Sequence, residues 1–300
     1  MLLKQVADAF AASKSRDSSG LGRLAFWVEK LGHRSIIEVT ADDADVCLVQ
    51  LAERGKLQAG RGRRTTERTG KPLKGSTINR YQSTLGELYK FAKKMRLVPR
   101  NFVPPTRGLE RHPEPIDPDR YFRDDEVERL VVCARVVDKG VRNGDKSWRH
   151  TPAVIVLAYH TGLRTGSLKK IKWRNVDFAA RRIVLGRTKN GEPIGSALTE
   201  RCVEELEPLS SKDPDALVFG NRRGAPFDWG ARWEATCNLA GLPKRNFHQL
   251  RHGCGTRLAQ RGTTQPQIMA VMGHKTLAAS VRYMHLNTDD QRAVVDKVFG

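Results

Sequence analysis

Six of the fourteen prolines in this chain of 300 residues fall between Pro99 and Pro118, in and just before the stretch NFVPPTRGLERHPEPIDP. Proline fixes φ, removes a backbone donor and pushes the residue before it toward extended conformations, so neither a helix nor a sheet runs through such a stretch. The chain on either side must fold as separate units, each long enough to bury a core without a disulfide or metal staple. We read a unit over 1–105, a semi-rigid linker over 106–120 and a second unit over 121–300.

Both units are basic. The formal net charge is +20; residues 1–110 carry 21 Lys+Arg against 11 Asp+Glu, and residues 111–300 carry 32 against 22. Two basic halves suggest two surfaces facing one polyanion, and for a protein of pI near 10.1 the usual polyanion is nucleic acid. The five cysteines (Cys47, Cys133, Cys202, Cys237, Cys254) are widely spaced, with no CxxC pair. That pattern points to free thiols in a reducing compartment, hence a cytoplasm. The longest apolar run, Ala153 to Ala158, is too short to span a bilayer, and the N-terminus MLLKQVADAF meets an aspartate before a signal core could form. No membrane role follows.

In the first unit Ile78, Tyr81, Leu85, Leu88, Ala92 and Met95 recur at spacings of three and four, which predicts a long amphipathic helix behind a Ser76 or Thr77 cap. Its other face holds Arg80, Lys90, Lys93 and Lys94, candidates for contact with a DNA backbone. Before it, GKLQAGRGRRTTERTGKPLKG reads as a flexible loop able to order on phosphates; Arg61, Arg63 and Arg64 are its densest cations. The second unit opens with Asp124-Asp125-Glu126, acids suited to the positive end of a helix dipole. An apolar helix ends at Thr161-Gly162-Leu163-Arg164. Next, ARRIVLGRTK and EPIGSAL flank Asn190-Gly191, a two-residue turn signal that predicts a hairpin with Lys189 at its tip. The remainder reads as mostly helical. The fold expected is mainly α with a small antiparallel β-sheet.

In FHQLRHGCGTRLAQRG, Phe247, Leu250, Cys254 and Leu258 share one helical face, while His248 and Arg251 lie side by side at its edge. His248 and His252 also have the spacing of a zinc-protease helix. Gln249 stands where such a site needs a glutamate, and no carboxylates cluster nearby, so no metal is expected. Gly262 can end this helix, and Thr264 and Pro266 can start another. Gly273 then breaks the chain before His274, and Thr276 can cap a helix carrying Tyr283. Arg164, Lys189, His248, Arg251, His274 and Tyr283 make a set that could transfer a phosphoryl group onto tyrosine without a metal.

Thr161 to Arg164, the lysine of RTKNG, HQLRH, and MGH followed nine residues later by Tyr283 resemble, in order and spacing, the active-site motifs of the tyrosine recombinases, the phage-integrase family. STINRYQSTLGELYKFAKKMRLVPRN is similar to the helical core-binding domain of that family, so the resemblance covers nearly the whole chain. It implies a SAM-like core-binding domain followed by a mixed α+β catalytic domain. It also implies a site-specific recombinase that cleaves and rejoins double-stranded DNA through a 3′-phosphotyrosyl intermediate, with no cofactor. By the same resemblance Tyr283 is the nucleophile, Arg164 and Arg251 clamp the phosphate and Lys189 is the general acid. His248 accepts or shares the tyrosine proton, His274 donates to a phosphate oxygen, and His252 and His285 are structural or supporting.

The implied assembly is a homotetramer on paired sites, joined through the C-terminal segment QRAVVDKVFG, with the state off DNA, monomer or otherwise, left open. A DNA-bending or directionality factor fits the same picture, as does a nucleoid-associated location. The chain starts at the core-binding domain, so an arm-site-binding domain is not expected. Four positions depart from the family pattern. Ser167 stands where an acid usually holds the arginine, Ala197 replaces a common proline, and Gly253 and Gly255 replace bulkier residues at a helix cost of roughly 1 kcal/mol each. A catalytically impaired DNA-binding regulator and a type IB topoisomerase-like enzyme are the competing readings.

Overall fold

A computed structural model describes residues 1–13, 17–59, 66–114, 121–139, 150–186, 194–221, 223–243, 245–281, 283–284, 292 and 295–296. The chain divides into two compact units, Met1–Ile116 and Asp117–Gly300. Among the described residues no helix is long and apolar enough to cross a membrane.

The first unit packs four helices, α1 (Leu3–Ala12), α2 (Ser18–Leu31), α3 (Ala41–Arg54) and α4 (Gly75–Lys94). Local chemistry sets their starts. The Asp17 side chain accepts from the Gly20 N–H at the head of α2, and Thr40 and Asp43 form a reciprocal capping box on α3. The core is made by Leu3, Val6, Phe10, Leu24, Trp27, Leu48, Leu51, Leu85, Leu88 and Tyr89. Its two buried polar handles are satisfied: the Trp27 indole donates to Tyr81 O and the Tyr89 hydroxyl to Ile36 O, each at 2.9 Å. Desolvation accordingly raises the Tyr89 pKa.

Two expectations are corrected in this unit. The basic stretch after α3 is not simply a loop, because its described ends form an antiparallel ribbon of β1 (Leu57–Ala59) and β2 (Thr66–Arg68). Backbone bonds from Lys56 N to Lys71 O and from Thr69 N to Lys56 O draw the two ends together. Arg61, Arg63 and Arg64 lie outside the described residues. The stretch read as a linker is also docked over its described part. Pro105–Arg107 form a 3-10 turn. Beyond it, buried amides of α4 hold the chain: Asn79 donates to His112 O and accepts from His112 N, and Gln82 donates to Glu110 O. Chain rich in proline has few donors of its own, and these amides answer its carbonyls.

The second unit is built around α6 (His150–Thr161), whose residues from Thr151 to Tyr159 are all buried. Around it lie α5 (Asp124–Lys139), α8 (Glu200–Leu206), α9 (Gly230–Leu239) and α10 (Gln249–Gln260). Short helices α7 (Thr165–Leu168), α11 (Gln265–Met272) and α12 (Leu277–Val281) complete it. Asp138 at the end of α5 accepts from the Thr151 N–H and hydroxyl and pairs with Arg232 of α9, which fixes where α6 begins. One antiparallel sheet has the order β3 (Val176–Asp177), β4 (Arg182–Leu185), β5 (Ile194–Ala197). Strands β4 and β5 pair from Arg182↔Ala197 to Leu185↔Ile194. They are the arms of the expected hairpin; Lys189 and the Asn190-Gly191 turn lie outside the described residues. The architecture is mainly helical with a small antiparallel sheet, as the residue patterns predict.

Candidate active site

The site starts where α6 stops. Thr161 folds its hydroxyl back to Leu157 O and accepts from Leu163 N, and Gly162 takes φ +61 to turn the chain. A side chain there would be strained, and its Cβ would sit 2.6 Å from the Met272 sulfur. The turn delivers Arg164 to the N-cap position of α7. Both terminal nitrogens of Arg164 donate to the Gly273 carbonyl, at 3.4 and 3.3 Å. That carbonyl is available because Gly273 ends α11 in the left-handed conformation, φ 58 and ψ 47. The carbonyl therefore supplies an anchor that Ser167 cannot supply as a charge.

Arg251, on the first turn of α10, is 4% exposed. One of its terminal nitrogens donates to Gly162 O and the other to Met272 O. The two arginines are thus fixed on the same two turns, 162–164 and 272–273. Desolvation, and after it the neighbouring Arg164 charge, lower the Arg251 pKa to about 10, while the Tyr283 phenol acts in the opposite sense. Two guanidinium groups held this close repel one another, and a tetrahedral oxyanion between them would relieve that repulsion.

Tyr283 is 6% exposed and stands on the turn just past α12, not on the helix expected to carry it. Its amide donates to Ser280 O at 3.0 Å. The phenol oxygen lies 2.9 Å from Nδ1 of His252. The His274 ring stacks on the phenol ring, 8° from parallel with centroids 6.0 Å apart. His248, at the N-cap of α10, sets its ring edge-on to His252 at 5.1 Å. Gly255 lies under the phenol; a Cβ there would be 2.8 Å from two ring carbons. Gly253 has the same relation to Tyr159, whose Cε2 would be 2.6 Å away, and to the Phe122 carbonyl at 2.7 Å.

Of the predicted site residues, Arg164, His248, Arg251, His274 and Tyr283 are described, and the contacts above join them in one cluster. Arg80, Lys90, Lys93 and Lys94 are exposed on α4, away from that unit's core. His252, to which the resemblance gives a supporting part, is the ring on the phenol oxygen. Its i+4 relation to His248 was the signal for it, and a metal reading competed for that spacing. The main-chain carbonyls that hold the arginines and the close approach at Gly255 left no trace in residue type beyond the glycines themselves.

Two guanidinium groups anchored on the same two turns, one of them within electrostatic reach of a buried phenol, on a helical unit with a small three-stranded sheet, fit a tyrosine-type DNA strand-transfer enzyme. The model of the phage integrase family matches residues 120–290, more than half of the chain, and the chain belongs to that family. It is a site-specific recombinase. Tyrosine recombinase XerC of Bacillus pumilus (strain SAFR-032) is 28% identical over 245 residues, 76% of each chain. The XerC of Staphylococcus aureus (strain JH9) is 25% identical over 231 residues, 74% of each. Among solved structures, the Tn1549 transposon integrase in complex with transposon right end DNA superposes with a TM-score of 0.72 at 18% identity, over 100% of both chains. The lambda integrase dimer bound to a COC′ core site gives 0.64 at 15% identity, over 95% of both. These two likenesses concern the fold.

Proposed function

We propose that Tyr283 attacks a phosphorus of duplex DNA, forming a 3′-phosphotyrosyl link and freeing a 5′-hydroxyl that later attacks the same link on another strand. Each step exchanges one phosphate ester for another, so the bond's free energy is retained and no cofactor is required. The observation that carries this reading is the buried Tyr283 phenol held against His252 and Gly255 of α10, the helix whose Arg251 shares its anchoring turns with Arg164. Charge builds on the non-bridging oxygens in the transition state, and fixed bidentate donors stabilise it there; removing one such donor typically costs about 10² to 10³ in rate. Lys189, which lies outside the described residues, acts as general acid on the departing 5′-oxygen, because an ammonium gives up its proton more readily than a guanidinium does. His274 donates to a phosphate oxygen, and His248 accepts or shares the tyrosine proton, with His252 in a supporting part.

The first unit grips the duplex through Arg61, Arg63, Arg64, Arg80, Lys90, Lys93 and Lys94. Domain roles follow the same division: core-binding over 1–105 and catalytic over 121–300, joined by 106–120, whose described part is docked on α4. Four copies assemble on paired sites in a nucleoid-associated, cytoplasmic setting, aided by a DNA-bending or directionality factor. The Tn1549 and lambda structures, solved with DNA, support the choice of partner.

Nicked suicide duplexes made from DNA flanking the gene test the reading. The parent protein gives a covalent adduct that survives denaturant, and Tyr283→Phe gives none. Persistence of the adduct in that variant assigns the nucleophile elsewhere. Absence of any adduct with the parent favours a DNA-binding regulator, and an adduct formed without any need for paired sites favours a topoisomerase.

A further inference from the structure

We infer that His252 is the catalytic base of this site: its Nδ1 takes the proton from the Tyr283 hydroxyl as the phenol oxygen bonds to phosphorus. The inference rests on the proposed nucleophile and assigns a residue to which the resemblance gives only a supporting part.

Geometry carries it. Nδ1 of His252 and the phenol oxygen are 2.9 Å apart, within the reach required of a general base before substrate arrives. The phenol is almost wholly withdrawn from solvent, so bulk water is poorly placed to receive its proton. Two restraints fix the phenol against the acceptor. Gly255 allows the ring to settle onto α10 at a distance that any side chain would block, and the His274 ring runs parallel to it. The acceptor is fixed in turn: His252 is on α10 immediately after Arg251, and the edge of His248 packs on it at 5.1 Å. One helical turn thereby carries both the guanidinium that meets the phosphate and the imidazole that meets the nucleophile. Consecutive helical side chains point in different directions, so the two groups can approach the phosphorus and the phenol from different sides.

The step balances without a further reactant. With its own proton on Nε2, neutral His252 accepts the phenolic proton at Nδ1, and the electron pair of that O–H bond becomes the new O–P bond. The P–O5′ bond breaks, and its oxygen leaves with a proton from Lys189. In the return step the 5′-hydroxyl gives its proton to the neutral Lys189 amine as it attacks phosphorus, the phosphotyrosyl O–P bond breaks, and the imidazolium gives its proton back to the departing phenolate. His248 stands one ring behind, placed to stabilise the imidazolium rather than to touch the phenol first.

The test measures single-turnover cleavage of the suicide duplexes by full-length parent, His252→Ala and His252→Gln. Glutamine can accept the phenol's hydrogen bond but cannot take its proton, so it separates positioning from base catalysis in a variant that keeps the contact. Both variants should cleave about 10² to 10⁴ more slowly while binding the duplex as the parent does, and added imidazole should restore part of the rate of His252→Ala. A duplex with sulfur replacing the bridging 5′-oxygen needs no acid to release its leaving group. It should rescue Lys189→Ala and leave His252→Gln slow. Cleavage by His252→Gln at about the parent's rate overturns the inference, and so does rescue of that variant by the sulfur duplex. Either result leaves the nucleophile untouched, because only an adduct surviving in Tyr283→Phe removes that.

Discussion

The phenol ring of Tyr283 rests on Gly255: a Cβ at 255 would stand 2.8 Å from Cε1 and Cζ and 2.9 Å from Cε2. Such distances are shorter than carbon atoms tolerate, so any side chain at 255 must move either the helix or the phenol ring.

Gly255→Ala is therefore expected to act on rate. Alanine favours the helix by about 1 kcal/mol over glycine, which offsets part of the overlap in the folding balance. The ring is the softer partner, since it sits on a turn past a five-residue helix, and it should shift by a fraction of an ångström to an ångström. Misplacement on that scale can lower a rate by about 10². Single-turnover cleavage should fall accordingly, with duplex binding and melting temperature close to the parent's. A parental cleavage rate would mean that the ring seat is not what positions the nucleophile.

Gly253→Ala should do the opposite. Its Cβ would meet Cε2 of Tyr159 at 2.6 Å and the backbone carbonyl of Phe122 at 2.7 Å, and Tyr159 is itself tied to Asp124 through its hydroxyl at 2.6 Å. Nothing in that contact is a loose side-chain end. Overpacking of this kind costs roughly 1 to 3 kcal/mol. Thermal or urea unfolding should show the loss, while cleavage per folded molecule stays near the parent's.

These two glycines show which parts of the site could be read in advance. From residue pattern alone they were a helix penalty, because propensity is local and the rings that need the space arrive from residues 159 and 283. The same limit hid the anchors of Arg164 and Arg251, which are main-chain carbonyls at Gly162, Met272 and Gly273 and have no side-chain signature. The short ribbon of β1 and β2 was masked by glycine and charge, since three residues per strand are too few to show a period of two. What was legible had either periodicity or punctuation behind it. The all-round apolar α6 announced a buried helix, Thr264 and Pro266 announced the start of α11, and Gly273 its end. The β4 and β5 arms were legible from their apolar residues on either side of the Asn-Gly pair. Tyr283 was read onto a helix because Thr276 can cap one; that helix forms but stops at Val281.

On α4 the exposed cations Arg80, Lys90, Lys93 and Lys94 predict a salt-dependent grip on DNA. Neutralising one cation that meets a phosphate should lower the slope of log affinity against log salt by about 1 and weaken binding to all sequences alike. Lys90→Gln and Lys94→Gln should each do so without altering the melting temperature, because neither side chain is part of the core of that unit. Equilibrium binding across a salt series decides it; a slope equal to the parent's would place α4's cations off the duplex.

Arg251 links stability, charge and DNA. Burial first, and the Arg164 charge second, bring its pKa well below the usual guanidinium range, to about 10. A folded-state pKa below the unfolded one means that the fold holds this proton less readily than the open chain does. At every pH below about 10 the charged guanidinium therefore opposes folding, and that opposition fades only as pH rises through about 10 toward the value of the open chain. In the proposed reading, a phosphate seated between Arg164 and Arg251 supplies the missing opposite charge. Two outcomes follow. The guanidinium carbon resonance of Arg251 in the free protein should titrate with a midpoint near 10, and Arg164→Gln should move that midpoint upward by removing the like charge. Near neutral pH, cognate duplex should raise the melting temperature of the parent more than that of Arg164→Gln, since the variant has less repulsion to relieve and one clamp fewer. An unmoved midpoint in Arg164→Gln would show that the two guanidinium groups do not share an electrostatic site.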